Sequence, residues 1–129
     1  MKIDIETMAK HYLIAAVWAD APESTHPRVS NEAKIAARET CAKFAELIAP
    51  ELFTQILEHP DYWAHPDCDD KPEAAIGHDL YLTSAGHGVG FWDRDSLPKE
   101  LRDKLSDLCG WRKAIPEPCA NFYRGWMYL

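Results

Sequence analysis

Apolar side chains recur at three- and four-residue intervals near the start of the chain, which predicts a helix over residues 4–20. A loop is expected over 21–27, where proline and small polar residues cluster. Ser30 is the predicted N-cap of a second helix that runs to about residue 49, and Asn31 is the other candidate for that cap.

Prolines set the boundaries of the next segments. Pro50 suits the first position of a third helix. That helix is expected to end at His59, because a residue that precedes proline is pushed out of helical geometry. Residues 59–76 contain three prolines and are predicted to be irregular, with one short helical turn beginning near Asp70 and Pro72.

The pattern in the middle of the chain favours strands. Residues 80–83 and 89–92 are β-prone and flank a five-residue loop with two glycines, which predicts a hairpin. A helix is predicted over 97–108. The aromatic tail at 121–129 is predicted to add a strand, since a lone hairpin is only marginally stable. We therefore expect an α+β fold, in which N-terminal helices pack on a small antiparallel sheet, with one domain over 1–129.

The net charge of the chain indicates which kinds of partner it can bind. The chain has 129 residues, with 21 acids against 14 bases and a formal net charge of −7. A protein that binds the nucleic-acid backbone directly carries a basic face, so we expect no direct nucleic-acid contact. An acidic protein suits a partner with a basic surface, including one whose own groove binds nucleic acid.

Cysteine usage and hydropathy indicate the compartment. The four cysteines form no CxxC pair, so reduced thiols are expected rather than a disulfide framework. No apolar run resembles a signal peptide or a membrane span. The sequence therefore predicts a cytoplasmic protein with no membrane association, and we expect no cofactor.

A first polar cluster comprises His78, Asp79, Asp93 and Arg94. The predicted hairpin would place these residues opposite one another at its open end, with His87 far away at the loop tip. Imidazole beside carboxylate suits a metal site or an acid–base pair. The alternative is structural: an aspartate caps a turn or pairs with Arg94.

A second polar cluster lies in the proline-rich segment, at His59, Asp61, His65, Asp67, Cys68, Asp69 and Asp70. Its spacing matches neither a zinc site nor a calcium-binding EF-hand loop. The favoured interpretation is a solvated acidic loop that Tyr62 and Trp63 hold on the core.

Motifs for nucleophilic or phosphate-binding chemistry are lacking. Ser84 and the cysteines do not lie in a nucleophile elbow. The glycine-rich residues 86–90 are not followed by the helix that phosphate binding would use. The sequence thus provides no candidate catalytic residue of these kinds.

The glycine-rich stretch resembles a known signature, of the type GHDFWLTRNGHGAGFWDR, which is carried by small, mostly uncharacterised proteins of bacteriophages and other mobile elements. The matching residues are Gly77-His78-Asp79, Leu82-Thr83, Gly86-His87-Gly88 and Gly90-Phe91-Trp92-Asp93-Arg94. The likeness departs at Leu80-Tyr81 and Ser84-Ala85. It implies a phage-type accessory protein that acts inside a bacterium, and it implies no known reaction.

The leading functional prediction is a non-enzymatic accessory protein that binds a host protein. The predicted partner has a basic nucleic-acid-binding surface, as in a CRISPR effector or a restriction enzyme that defends the host. The predicted partner-binding residues are His78, Asp79, Trp92, Asp93, Arg94, His87, Asp67, Asp69 and Asp70.

Two alternatives remain open at this point. One is a small metal-dependent enzyme, with ligands His78, Asp79 and Asp93, or His59, His65 and Asp67. The other is a structural or regulatory protein that forms a homodimer.

Overall fold

The computed structural model describes residues 2–23 and 25–129. The helices and short strands of these ranges follow in the order α1 (Ile5–Asp20), β1 (Arg28–Val29), α2 (Asn31–Ile48), α3 (Glu51–Leu57), α4 (Pro60–Trp63), α5 (Pro72–Ala85), α6 (Lys99–Ser106), β2 (Asn121–Tyr123) and β3 (Trp126–Tyr128). Single 3-10 turns lie at Pro66–Cys68 and Phe91–Asp93. The α+β fold class is confirmed.

The first helix is fixed at its start by Asp4. The Thr7 amide donates to Asp4 Oδ1 at 3.1 Å, and the Thr7 hydroxyl donates to Oδ2 at 2.6 Å. Lys71, at the N-cap of α5, also donates to Asp4. These donors hold the pKa of Asp4 well below its usual range. The beginnings of α1 and α5 are therefore tied together by charge.

The centre of the molecule is the packing of α1 on α5, the most extensive contact between helices. Met8 and Tyr12 on α1 are buried, as are Leu80 and Tyr81 on α5. The rings of Tyr12 and Tyr81 meet edge to face, with centroids 5.1 Å apart. Because α5 is buried around most of its circumference, it has no polar face.

The predicted hairpin at 80–92 is wrong. Residues 80–83 belong to α5, and the second predicted strand is replaced by the 3-10 turn at Phe91–Asp93. Gly86, with φ of 74°, ends the helix in the left-handed conformation that glycine tolerates. Leu80, Tyr81 and Leu82 are consecutive and all buried. A continuous apolar run of this kind is typical of a buried strand as well as of a buried helix, so periodicity did not separate the two.

The sheet is built at the carboxy-terminal end instead, and it is mixed rather than antiparallel. Its strand order is β1-β3-β2. The tail forms the antiparallel pair β2–β3, and β1 adds to β3 in parallel. The prediction of β structure in the tail is thus confirmed, although the tail forms two strands and does not extend a hairpin at 80–92, and β1 was not predicted. Met127, fully buried on β3, attaches the sheet to the core.

The remaining helix boundaries follow the sequence closely. The Ser30 side chain accepts from the Ala33 amide at 3.0 Å, which confirms the predicted cap of α2. The segment predicted to be irregular over 59–76 contains α4 and the first turns of α5, so that prediction is wrong in part. Among the described residues, no helix is both long and apolar enough to cross a membrane.

Candidate functional site

The structure brings parts of the two polar clusters of the sequence together in one cleft, whereas Asp93 of the first cluster and His59, Asp69 and Asp70 of the second lie outside its lining. The cleft has a volume of about 450 Å³ and lies between α1, the segment that precedes α5, α5 itself and the residues after the second 3-10 turn. We call it the polar cleft. Its lining residues are His11, Asp61, Tyr62, His65, Asp67, Cys68, Ala74, Ala75, His78, Asp79, Arg94 and Ser96.

The floor of the polar cleft is an ion pair between Asp79 and Arg94. Arg94 Nη2 donates to Asp79 Oδ1 at 2.6 Å, and Nε donates to Oδ2 at 3.0 Å. The Tyr62 hydroxyl donates to the same carboxylate at 2.7 Å. The Asp79 side chain is 2% exposed. The carboxylate is therefore saturated by charged and neutral donors, and its geometry is that of a structural ion pair.

The ionisation of the partners agrees with this assignment. The hydrogen bond with Asp79 raises the pKa of Arg94. Burial, reinforced by the Asp79 carboxylate, raises the pKa of Tyr62 well above its usual value. Arg94 stays charged and Tyr62 stays a hydrogen-bond donor at neutral pH. The predicted alternative in which Asp79 pairs with Arg94 is the one the structure contains.

His78 lies beside this pair on α5 and is half-buried in the cleft wall. Burial lowers the pKa of His78, so the imidazole is neutral at pH 7. Its ring centroid lies 6.0 Å from that of Trp18 on α1. His78 therefore presents a neutral imidazole, able to donate and accept one hydrogen bond, to whatever enters the cleft.

Cys68 and His65 also line the cleft, with Sγ and Nε2 3.4 Å apart. Burial, with the carboxylates of Asp79 and Asp67, raises the pKa of the Cys68 thiol to about 11. A reactive cysteine needs a lowered pKa, because the thiolate is the nucleophile. The pair is thus a thiol–imidazole contact and lacks the activation of a nucleophilic dyad.

The rate at which each thiol reacts tests whether the buried cysteines are unreactive. Cys119 is exposed, whereas burial raises the pKa of Cys41 and of Cys109 to about 12. We expect one thiol per chain, Cys119, to react rapidly with Ellman's reagent at pH 8, and all four to react in denaturant. A Cys119→Ser variant should lose the rapid phase. Rapid modification of Cys68 in that variant would contradict the assignment.

Hydrogen bonds and packing hold residues 90–94 of the glycine-rich signature on α5. The Phe91 amide donates to Thr83 Oγ1 at 3.1 Å, and the Gly90 amide donates to Asp93 Oδ1 at 2.9 Å. Gly90 has φ of 149°, and a Cβ there would lie 2.2 Å from Thr83 Oγ1. Phe91 is fully buried and stacks on Phe44, with ring centroids 5.8 Å apart. Asp93 therefore caps a turn, as the structural alternative predicted.

His87 and Trp92 lie outside the polar cleft lining. His87 Nε2 is 2.9 Å from Asp20 Oδ1, at the end of α1, and the Tyr81 hydroxyl donates to the same carboxylate. Trp92 is 50% exposed, and its carbonyl accepts from Arg102 at 3.2 Å. The separation of His87 from the Asp79 group was predicted, although from a hairpin that does not exist.

The two proposed sets of metal ligands are not assembled. Among residues 2–23 and 25–129, no group of three or more His, Cys, Asp or Glu side chains is placed to hold a metal ion. In the first set, Asp79 binds Arg94 and Asp93 binds the Gly90 amide. In the second, His59 lies outside the lining that His65 and Asp67 share.

Sequence reasoning missed a second, apolar groove of about 950 Å³ between α1, α2 and the loop that joins them. Its apolar wall includes Leu13, Val17, Trp18 and Val29. Trp18 is 71% exposed. The signal in the sequence was the extra pair Ile14 and Trp18, which widens the apolar stripe of α1 beyond what one buried face requires.

No protein-family model matches this chain, and no curated protein or solved structure shows significant similarity to it. The resemblance to the signature of mobile-element proteins rests on the residues quoted above and stays a prediction.

Proposed function

We propose that this chain is a small acidic accessory protein of phage type that binds a host protein and blocks the basic surface with which that protein binds nucleic acid. The partner class is a bacterial nucleic-acid-targeting defence enzyme, such as a CRISPR effector or a restriction enzyme. The site of action is the bacterial cytoplasm.

The observation that carries this proposal is the charge of residues 58–73, which we call the acidic segment. It holds six acids and one base, a formal charge of −5 out of −7 for the whole chain. Asp61, Asp67 and Asp70 are exposed on it. Concentrated charge of one sign on a surface steers association with a surface of the opposite sign.

The acidic segment is anchored on structured elements. His11 Nε2 lies 2.9 Å from Asp69 Oδ2, and Lys71 pairs with Asp4 at the start of α1. Asp69 and Asp70 adopt left-handed φ values of 52° and 53°. Since an ordered surface loses less conformational entropy on binding, this anchoring supports a role in recognition.

The surroundings of the acidic segment also suit binding. Below it, Asp79 and Arg94 bond to each other and stabilise the cleft floor. Trp92 lies outside the cleft lining, but it is half-exposed and two residues from Arg94, and it offers an aromatic group of the kind enriched in binding hot spots. The Asp79–Arg94 pair therefore has a structural role, and the exposed carboxylates around it are free to contact a partner. Partner binding accounts for this arrangement better than metal-dependent catalysis.

Binding measurements with purified CRISPR effectors and restriction enzymes test the proposal. We expect the wild type to bind one of them and to compete with its nucleic acid. The triple variant Asp61→Asn/Asp67→Asn/Asp70→Asn should bind at least about threefold more weakly, since each lost ion pair costs about 0.2–1 kcal/mol and three are lost. Asparagine also tolerates the left-handed backbone at Asp70.

A matched control removes the same charge elsewhere. Glu32, Glu39 and Glu46 are exposed on α2, and the variant Glu32→Gln/Glu39→Gln/Glu46→Gln should bind within about twofold of wild type if the effect is local. Equal weakening of binding in both triple variants would show that affinity depends on the net charge of the chain and not on the acidic segment. Absence of binding by the wild type to every enzyme of these two classes would refute the proposal.

A further inference from the structure

The outer face of the small sheet aligns aromatic and basic side chains in one row. The strand register pairs Arg28 with Trp126 and Trp126 with Tyr123, across β1, β3 and β2. Directly paired residues on neighbouring strands share a face of the sheet. The alternate positions Met127 and Phe122 point to the core, where Met127 is fully buried. The row is therefore the solvent side of the sheet.

The rings of this row are accessible and each lies against an arginine. Tyr123 is 62% exposed and Trp126 is 38% exposed. The Arg28 guanidinium lies 5.7 Å from the Trp126 ring centroid, and that of Arg124 lies 5.2 Å from the Tyr123 centroid. Both distances fall within the range of cation–π contacts. The face thus offers flat π-surfaces and positive charge side by side.

The strands of this face carry basic side chains, although the chain as a whole is acidic. Residues 25–31 and 118–129, which carry the three strands, contain Arg28 and Arg124 and no Asp or Glu. Salt screens charges separated by more than about 8 Å at physiological ionic strength. The net charge of −7 therefore does not describe what a ligand meets at this face.

We propose that this sheet face binds single-stranded nucleic acid, with bases stacked on Trp126 and Tyr123 and phosphates paired with Arg28 and Arg124. Aromatic side chains on a sheet, with arginines beside them, form the stacking platforms that such ligands use. A peptide of acidic residues alone would pair with the arginines but would leave the two rings uncovered. The proposal is independent of the acidic segment, and it replaces the expectation of no direct nucleic-acid contact, which rested on net charge alone.

Fluorescence anisotropy with a 5′-labelled oligothymidylate of twelve nucleotides tests this site at low salt. We expect saturable binding by the full chain that weakens as salt rises. Trp126→Ala and Tyr123→Ala should each weaken binding by about fivefold or more, the cost of one lost stacking partner. The variant Arg28→Gln/Arg124→Asn keeps both rings and should lose affinity and salt dependence together.

A matched control comes from a similar pair outside the sheet. Trp111 is 69% exposed, and the Arg112 guanidinium lies 4.4 Å from its ring centroid. Trp111→Ala should bind the oligonucleotide as the wild type does. Circular dichroism and thermal melting establish that each variant is folded. If an aromatic variant does not fold, the arginine variant tests the site.

Three results would overturn the proposal. The first is no saturable binding by the wild type. The second is equal loss in Trp111→Ala and Trp126→Ala. The third is displacement of the oligonucleotide by an oligoaspartate peptide of equal charge at the same concentration, which would assign the face to acidic proteins.

Discussion

Replacing Arg94 with methionine is expected to destabilise the protein by about 3 kcal/mol, because it leaves the Asp79 carboxylate buried without its cation. The loss should lower the melting temperature by about 10 °C for a domain of this size. The Asp79 side chain is 2% exposed, so little water reaches its carboxylate to replace the lost donors. Thermal and urea unfolding at pH 7 measure the change.

Two control substitutions separate burial from charge. Arg94→Lys keeps the charge but loses the two-point contact, and it should cost less than Arg94→Met. Arg38 pairs with Glu6 at 2.7 Å, but both side chains are more than 60% exposed. Arg38→Met should therefore change stability by less than about 1 kcal/mol. An equal loss in Arg38→Met and Arg94→Met would contradict the structural role of the buried pair.

Replacing Gly77 with alanine is expected to cost about 3 kcal/mol, at the upper end of overpacking effects in well-packed cores. A Cβ at this position would lie 2.1 Å from the carbonyl oxygen of Met8 on α1. The clash is with backbone, so no side-chain rotation relieves it, and α1 must move away from α5. Alanine recovers only about 1 kcal/mol of helix propensity.

The neighbouring position provides the control for Gly77. His78 lies on the same helix and is half-buried in the cleft wall. His78→Ala should change the free energy of unfolding by less than about 1 kcal/mol, since few buried contacts are lost. If Gly77→Ala left stability unchanged, the close approach of α1 and α5 in this structure would be wrong.

Helices with one apolar face could be predicted from the sequence. The spacing of apolar residues placed α1 over residues 4–20, against Ile5–Asp20 in the structure. The cap at Ser30 was also correct, because its side chain makes a local bond to the Ala33 amide. Such features depend on contacts between near neighbours in the chain, which periodicity and capping rules capture.

Helix α5 could not be predicted, for a physical reason. Most positions from Glu73 to Ser84 are buried, so the apolar residues show no helical spacing. Gly77 weakened a helical interpretation further, since glycine is unfavourable inside helices. Its presence is explained only by Met8, which is 69 positions earlier in the chain. No local pattern records a contact of that range.

The candidate site was recognised in parts but not as a whole. Asp79 and Arg94 were identified together, with their pairing as one alternative. Asp67 and its neighbours were predicted to form a separate solvated loop, yet Asp67, Cys68 and Asp79 line one cleft. The sheet face was hidden because β1 has only two residues and pairs with a strand about a hundred residues away.

The ion pair of Asp79 and Arg94 holds the two ends of the glycine-rich signature together and stabilises the fold, and a double-mutant cycle measures this coupling. Unfolding free energies of the wild type, Asp79→Asn, Arg94→Met and the double variant give the coupling between the two side chains. We predict a coupling of about 2–3 kcal/mol, because one carboxylate–guanidinium pair carries both losses. Additive losses, with a coupling below about 0.5 kcal/mol, would contradict the claim.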